Sequence, residues 1–405
     1  MADIRISPSF SISIRDICAS KLSKAAAQAL ALGRSIMSKV TTQPDEVMLH
    51  GSVLVLLQFD VCEAIRLDQL RELICAHIIE QPKLKQPAPA YVRYRRPPVV
   101  EPIEPLVLQS GESLQGEIKY YDYGVLSVIF QLAFTGGWDK LTTLASRWVW
   151  DIDFAEQATE IVRNRLKRAT PALIRPYETW LSEDYLIFHI REVNGSPSVT
   201  DLIQQHGSHI AQVVRGDTGK LAESECNEVL QSRISYYAND LTVIGWNAAF
   251  LYDSTAGAET AIQLLEYANS QLLEFRHYDD LLTKELERVY MLLDKGTGFL
   301  ARWRLARSAT LLHTVLLDVA ELTEHADNAI KFLSDMFSAR LYKLAASKVG
   351  VPDYKNLVTE KVHTAEELYR FMVDQFNQSR AFFLELTVVI ILVIELVYLF
   401  RGKAF

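Results

Sequence analysis

The sequence predicts an α+β chain: an N-terminal ferredoxin-like α/β domain, then a long-helix bundle or coiled-coil region, and last one C-terminal transmembrane helix. Three observations carry this expectation. Between His50 and Glu192, short apolar runs of strand length alternate with segments of helical period. From Ala261 to Leu293, apolar residues recur at alternating spacings of four and three. From Phe382 to Phe400 the chain is apolar except for Glu385, Thr387 and Glu395, and Arg401 and Lys403 follow at once.

Composition sets the frame. The 405 residues are 23% charged, with a formal net charge of -8 and a pI of about 5.7, which describes a body large enough for two domains. Residues 1–47 read as a basic arm and helix, because the first forty positions hold six Lys/Arg against two Asp and Ile17 to Val40 has an amphipathic pattern. Such a segment suits a plain solvated tail followed by a packed helix, with a surface-lying arm or an organelle-targeting signal as the alternatives. No secretory signal pattern opens the chain, so the body is expected to stay on the side where it is made. Cys18, Cys62, Cys75 and Cys226 are scattered without paired spacing, as free thiols in a reducing compartment would be.

The α/β domain is placed at 48–192. Val53 to Phe59 reads as a strand that gives way at Asp60 to the helical pattern Ile65, Leu67, Leu70, Leu73, Ile74, Ile78. Residues 81–105 hold seven prolines and are expected to be an extended excursion. Ile118 to Tyr121 and Val125 to Phe134 read as strands joined at Asp122-Tyr123-Gly124. A helical region in one or two pieces follows from Gly137 to about Arg168, and Tyr185 to Ile190 closes the domain. Strand, helix, strand, strand, helix, strand is the order of a ferredoxin-like sandwich.

Residues 198–256 are expected to form short helices, Leu202 to Val214 and Glu223 to Ala238, with little strand. Residues 257–381 form the long arms. The heptad seam comprises Ala261, Leu265, Ala268, Leu272, Phe275, Leu282, Leu286, Val289 and Leu293, interrupted at Asp279; Leu265, Leu272, Phe275, Leu282, Leu286, Val289 and Leu293 are its candidate oligomerisation contacts. An intrachain antiparallel bundle satisfies the same pattern. Phe299 to Ala346 supplies a second arm. After a loop at Val349 to Asn356, a third arm from Thr359 would run about 60 Å to Phe400. The nineteen positions 382–400 would span about 28 Å, against a bilayer core of about 30 Å. Glu385 and Glu395 sit oddly there, since a charge at bilayer depth costs at least about 2.5 kcal/mol.

Chemistry is sparse in the sequence. No phosphate-cradling glycine loop, nucleophile elbow or paired-cysteine spacing is present, so no catalytic residue, cofactor or metal is expected. His206 and His209 are three apart on an expected helix, which suits ordinary helix-start polarity better than a metal lacking a third ligand. Arg276, Tyr278, Asp279 and Asp280 insert charge into the seam and suit pairing across helices. Arg93, Arg95 and Arg96, beside Tyr91 and Tyr94, could contact RNA, anionic lipid or an acidic partner.

Lys119-Tyr-Tyr-Asp-Tyr-Gly-Val125, the helical span Ile210 to Leu241 with Leu221-Ala-Glu-Ser-Glu225, and the terminal apolar segment together resemble the required-for-meiotic-nuclear-division family (domain of unknown function 155), as a divergent bacterial branch. The resemblance covers about residues 50–400. It implies a homo-oligomer at the inner (cytoplasmic) membrane, its soluble domain facing the cytoplasm and engaging other components; mitochondrial members support translation. The expected function is a membrane-anchored scaffold or adaptor for an unidentified protein partner, touching lipid through Glu385, Glu395, Arg401 and Lys403. The alternatives are a cation channel or transporter component using Glu385 and Glu395, and a membrane-tethered RNA- or ribosome-associated adaptor.

Overall fold

The computed structural model describes residues 47–74, 97–294, 312–317, 319–320 and 336–402, with the side chains of 292–294 and 375–383 outside that description. The described residues from Met48 onward form one compact unit. Its centre is β1 (Leu49–Ile65), whose sequence is apolar at successive positions because helices cover both faces of the sheet around it. β4 (Val125–Gly136) and β5 (Leu173–Val193) flank β1, both antiparallel to it. β3 (Ser113–Tyr120) lies beyond β4, and β2 (Val99–Val107) forms the edge, where Pro102 and Pro105 interrupt the ladder at least cost. On the other side β8 (Ala248–Tyr252) runs parallel to β5, followed by β7 (Leu241–Ile244) and the two-residue β6 (Arg233–Ile234).

The architecture is therefore a mixed α/β fold on one eight-stranded sheet, ordered β2-β3-β4-β1-β5-β8-β7-β6. This corrects the expected four-stranded sandwich with an all-helical continuation. Three short strands at 233–252 escaped notice because two to five residues leave too little periodicity to count. The change at Asp60 is a bulge in β1 between Asp60 and Cys62, and the strand continues to Ile65. The Pro-rich stretch contributes the edge strand β2; its residues 81–96, including Arg93, Arg95 and Arg96, lie outside the described residues, as does the arm 1–46.

Helix α1 (Leu67–Ile74) follows β1, and α2 (Trp138–Trp150) follows β4. Asp153 caps α3 (Phe154–Ala169), accepting from the Glu156 amide. Ser198 caps α4 (Val199–Arg215), which Gly216 ends in the left-handed region at φ 65. Helix α5 (Glu223–Gln231) is cut short by β6. Then come α6 (Thr255–Asp294), α7 (Met336–Val349) and α8 (Val351–Gly402), the last two separated only by Gly350 at φ 93 where a longer loop was expected. Leu54 and Leu56 of β1, Ile187 of β5 and Leu251 of β8 share a core with α6, α7 and α8. The alternate residue Phe250 meets Trp138 of α2 on the opposite face.

The heptad residues Leu265, Leu272, Phe275, Leu282, Leu286 and Val289 are all buried in this core, against helices of their own chain. Leu293 belongs to the side chains outside the description.

The expected transmembrane helix is not supported. Among the described residues, no helix is long and apolar enough to cross a membrane. Glu395 interrupts the apolar run, and Glu385 and Arg401 bound it on either side. Leu384 to Gly402 extend α8 with every side chain exposed. Lys403 lies outside the described residues.

Candidate functional site

The sheet and α6 meet along a polar seam. Lys119, Ser127, Gln58 and Glu183 stand in register on the adjacent strands β3, β4, β1 and β5. Above them α6 presents Glu266, Ser270, Glu274 and His277, which the helical repeat of about 3.6 residues aligns on one side. The apolar seam of α6 points elsewhere, toward α7 and α8.

At one end Glu266 is 1% exposed and Ser127 fully buried. Lys119 Nζ lies 2.9 Å from Glu266 Oε2 and 3.7 Å from Glu117. Burial alone would lower the Lys119 pKa, but the two carboxylates outweigh it and hold it above the usual lysine range. Gln58 Nε2 donates to the Glu266 carbonyl at 2.9 Å. Midway, Tyr123 and Ser270 hydroxyls meet at 3.2 Å, and Leu273 packs on Tyr121 and Val125.

At the other end, His277 Nδ1 approaches Asp60 Oδ2 to 2.9 Å, and the Tyr177 ring stacks on the imidazole at a centroid distance of 4.6 Å. Burial raises the Asp60 pKa, with His277 acting against it. Glu274 is raised well above the ordinary glutamate value, by burial first and then by Asp60 and Asp122. Burial, with Asp60 adding to it, pushes the Cys62 thiol up to about 12, so Cys62 is a poor nucleophile. Arg276 pairs with Glu183 and stands over the Tyr354 ring of α8.

The turn Tyr121-Asp122-Tyr123-Gly124 sets this end. Gly124 has φ 90, and a Cβ there would run into the Cys62 carbonyl. The Val61 amide donates to the Gly124 carbonyl and the Ile65 amide to that of Asp122, which docks the turn on the bulged strand. Through its paired charges and hydrogen bonds the seam holds α6 in register on the strands.

Of the residues singled out in the sequence, Arg276 borders the seam at Glu183 and the others fall elsewhere. Asp279 pairs with Lys361 of α8 at 2.6 Å, and Asp280 with Lys284 within α6. His206 and His209 stack on Trp138, with ring centroids 5.8 Å apart from each other. Among the described residues, no three His, Cys, Asp or Glu side chains are grouped as a metal site requires. Glu385, Glu395 and Arg401 are exposed on α8. A cleft of about 490 Å³, lined by His50, Arg191, Glu192, Ser254 and Thr255, opens at the start of α6, where Asp253 already accepts from the Ser254 amide. The seam escaped sequence reasoning, although Glu266, Ser270, Glu274 and His277 carry a signal: a polar helical stripe beside the apolar one.

The family model described as Uncharacterized protein MJ0711, N-terminal domain, matches residues 50–259, from β1 to the first turn of α6. The strand side of the seam lies inside that match and Glu266 to His277 beyond it. A relative, the uncharacterized protein MJ0711 of Methanocaldococcus jannaschii, is 20% identical over 215 residues, covering 53% of this chain and 65% of the relative. No solved structure matches. The matched span takes in more than half of the chain, which belongs to the family of the MJ0711 N-terminal domain.

Proposed function

We propose that the protein is a homo-oligomeric, non-catalytic scaffold that presents its α/β body to protein partners, with the end of α8 joining the copies. The observation that carries this is the exposed apolar end of α8. Leu386, Ile390, Val393, Val397 and Phe400 recur at spacings of four and three and are 42% to 71% exposed. Contiguous apolar surface of this kind marks an interaction site. β-Branched Ile390 and Val397 would occupy one heptad position and Leu386, Val393 and Phe400 the other, a pattern compatible with two strands. Glu395 stands about 180 degrees from Leu386 around the helix, clear of the stripe. A second copy offers the same stripe and so fits it.

The packing of the body supports this reading: Lys119 and Glu266, and His277 and Asp60, pair where α6 seats on the sheet, and the apolar seam of α6 packs against α7 and α8. Several copies held together would bind a partner more tightly than one. The resemblance to the meiotic-nuclear-division family, with its implied oligomer, points the same way. The test is light-scattering mass of the full chain and of a chain ending at residue 383. The proposal expects an oligomer that becomes monomeric on truncation. A monomeric full chain contradicts it, as does a full chain that remains monomeric while floating with lipid vesicles.

A further inference from the structure

Three oxygen atoms in the seam have no protein hydrogen-bond partner among the described residues: Gln58 Oε1, Ser127 Oγ and Glu266 Oε1. Their side chains are 1%, 0% and 1% exposed. They belong to one neighbourhood. Gln58 and Ser127 are register partners on β1 and β4, and Ser127 is the register partner of Lys119 on β3. Glu266 reaches down from α6 to Lys119 through its other carboxylate oxygen, and Gln58 donates to the Glu266 backbone.

We propose that a single internal water molecule binds between Gln58, Ser127 and Glu266 and bridges strands β1 and β4 to α6. The hydrogen-bond count selects this ligand. Gln58 Oε1 and a carboxylate oxygen only accept, whereas a hydroxyl also donates. Water donates once to Gln58 Oε1 and once to Glu266 Oε1, and accepts from the Ser127 hydroxyl. All three orphan atoms are satisfied, and about three hydrogen bonds is what buried waters make. A monovalent cation fits worse: it would meet the Lys119 ammonium, already 2.9 Å from the same carboxylate, and it could not satisfy the hydroxyl proton. An apolar filler would leave two acceptors buried and unpaired.

The bridge explains how a helix rests on a polar row of strands. Gln58 and Lys119 hold α6 directly, and the water supplies the remaining contacts with little demand on side-chain geometry. This inference is independent of assembly through α8.

Two experiments test it. In a crystal structure fine enough to resolve waters, the expected result is one spherical peak within hydrogen-bond range of all three oxygens. A dry site, with the Ser127 hydroxyl or Gln58 amide bonded directly to a neighbour, overturns the proposal; so does an ion that changes when sodium is exchanged for rubidium. In solution, oxygen-17 relaxation dispersion in H₂¹⁷O counts long-lived internal waters. Ser127→Val places a methyl group where the water sits and is expected to lose one such water. An unchanged count in a folded Ser127→Val protein contradicts the assignment, and should that variant fail to fold, Gln58→Met serves the same comparison beside the crystallographic result.

Discussion

Replacing Lys119 with methionine removes the cation from beneath α6 while keeping most of its volume. The consequence follows from Glu266, which is 1% exposed and whose cation among the described residues is Lys119. At 2.9 Å and an effective dielectric constant of about 20, their attraction is about 6 kcal/mol. Most of this offsets the desolvation of two charges, so the pair adds little net stability. Breaking it is another matter, because an unpaired buried carboxylate costs about 3–5 kcal/mol. The assay is urea unfolding followed by far-UV circular dichroism, in a double-mutant cycle. Lys119→Met is expected to lose about 3–5 kcal/mol, and Lys119→Met with Glu266→Leu to recover most of that loss. A single variant within about 1 kcal/mol of wild type, as exposed pairs behave, would show that the seam is solvated and refute the reasoning, as would a double variant no better than the single.

Three further outcomes are expected. Glu101 of β2 is 8% exposed and binds Arg165 and Arg168 of α3 and the Tyr120 hydroxyl; Glu101→Ala leaves these unmatched and should cost about 2–4 kcal/mol in urea unfolding. Gly124→Ala puts a Cβ into the Cys62 carbonyl at positive φ and should cost more than about 2 kcal/mol, read as a lowered melting temperature; an unchanged one would mean the turn does not dock as described. Glu274 has a raised folded pKa, so its contribution to stability is fully present below the ordinary glutamate pKa and is lost as pH rises through the folded value. Asp60 acts in the same direction. The difference in stability between Glu274→Gln and wild type should therefore grow in favour of the variant as pH rises, and a pH-independent difference in urea midpoint would contradict the environment assigned to Glu274.

The legible part of this chain was its long-period signal. The heptad stripe from Ala261 onward marks a real helix, but it could not show whether Leu265 to Val289 face another copy or their own chain; the answer lies in the short Gly350 turn that folds α8 back beside α6. Strands β6, β7 and β8 were illegible because pairing makes them strands, β8 with β5, β7 with β8 and β6 with β7, and LTVI or AAFLY alone fits a helix as well. Asp60 looks like the end of a strand because a charge after a run apolar but for Gln58 resembles an exit; it is instead a buried group met by His277 from more than two hundred residues away. The terminal apolar run was visible, yet its period of seven was hidden among apolar neighbours, and the three charges around it were underweighted. The candidate site needed the register of four strands, which no local pattern contains.

The exposed end of α8 is proposed to join one copy of the chain to another. Full-length protein labelled near its C-terminus with either a donor or an acceptor dye, mixed and equilibrated, measures this most directly. Energy transfer between copies is expected, and it disappears when Ile390 and Val397 are both replaced by aspartate, while far-UV circular dichroism of the body is unchanged. No transfer in the unsubstituted protein, or transfer that survives both substitutions, would contradict it.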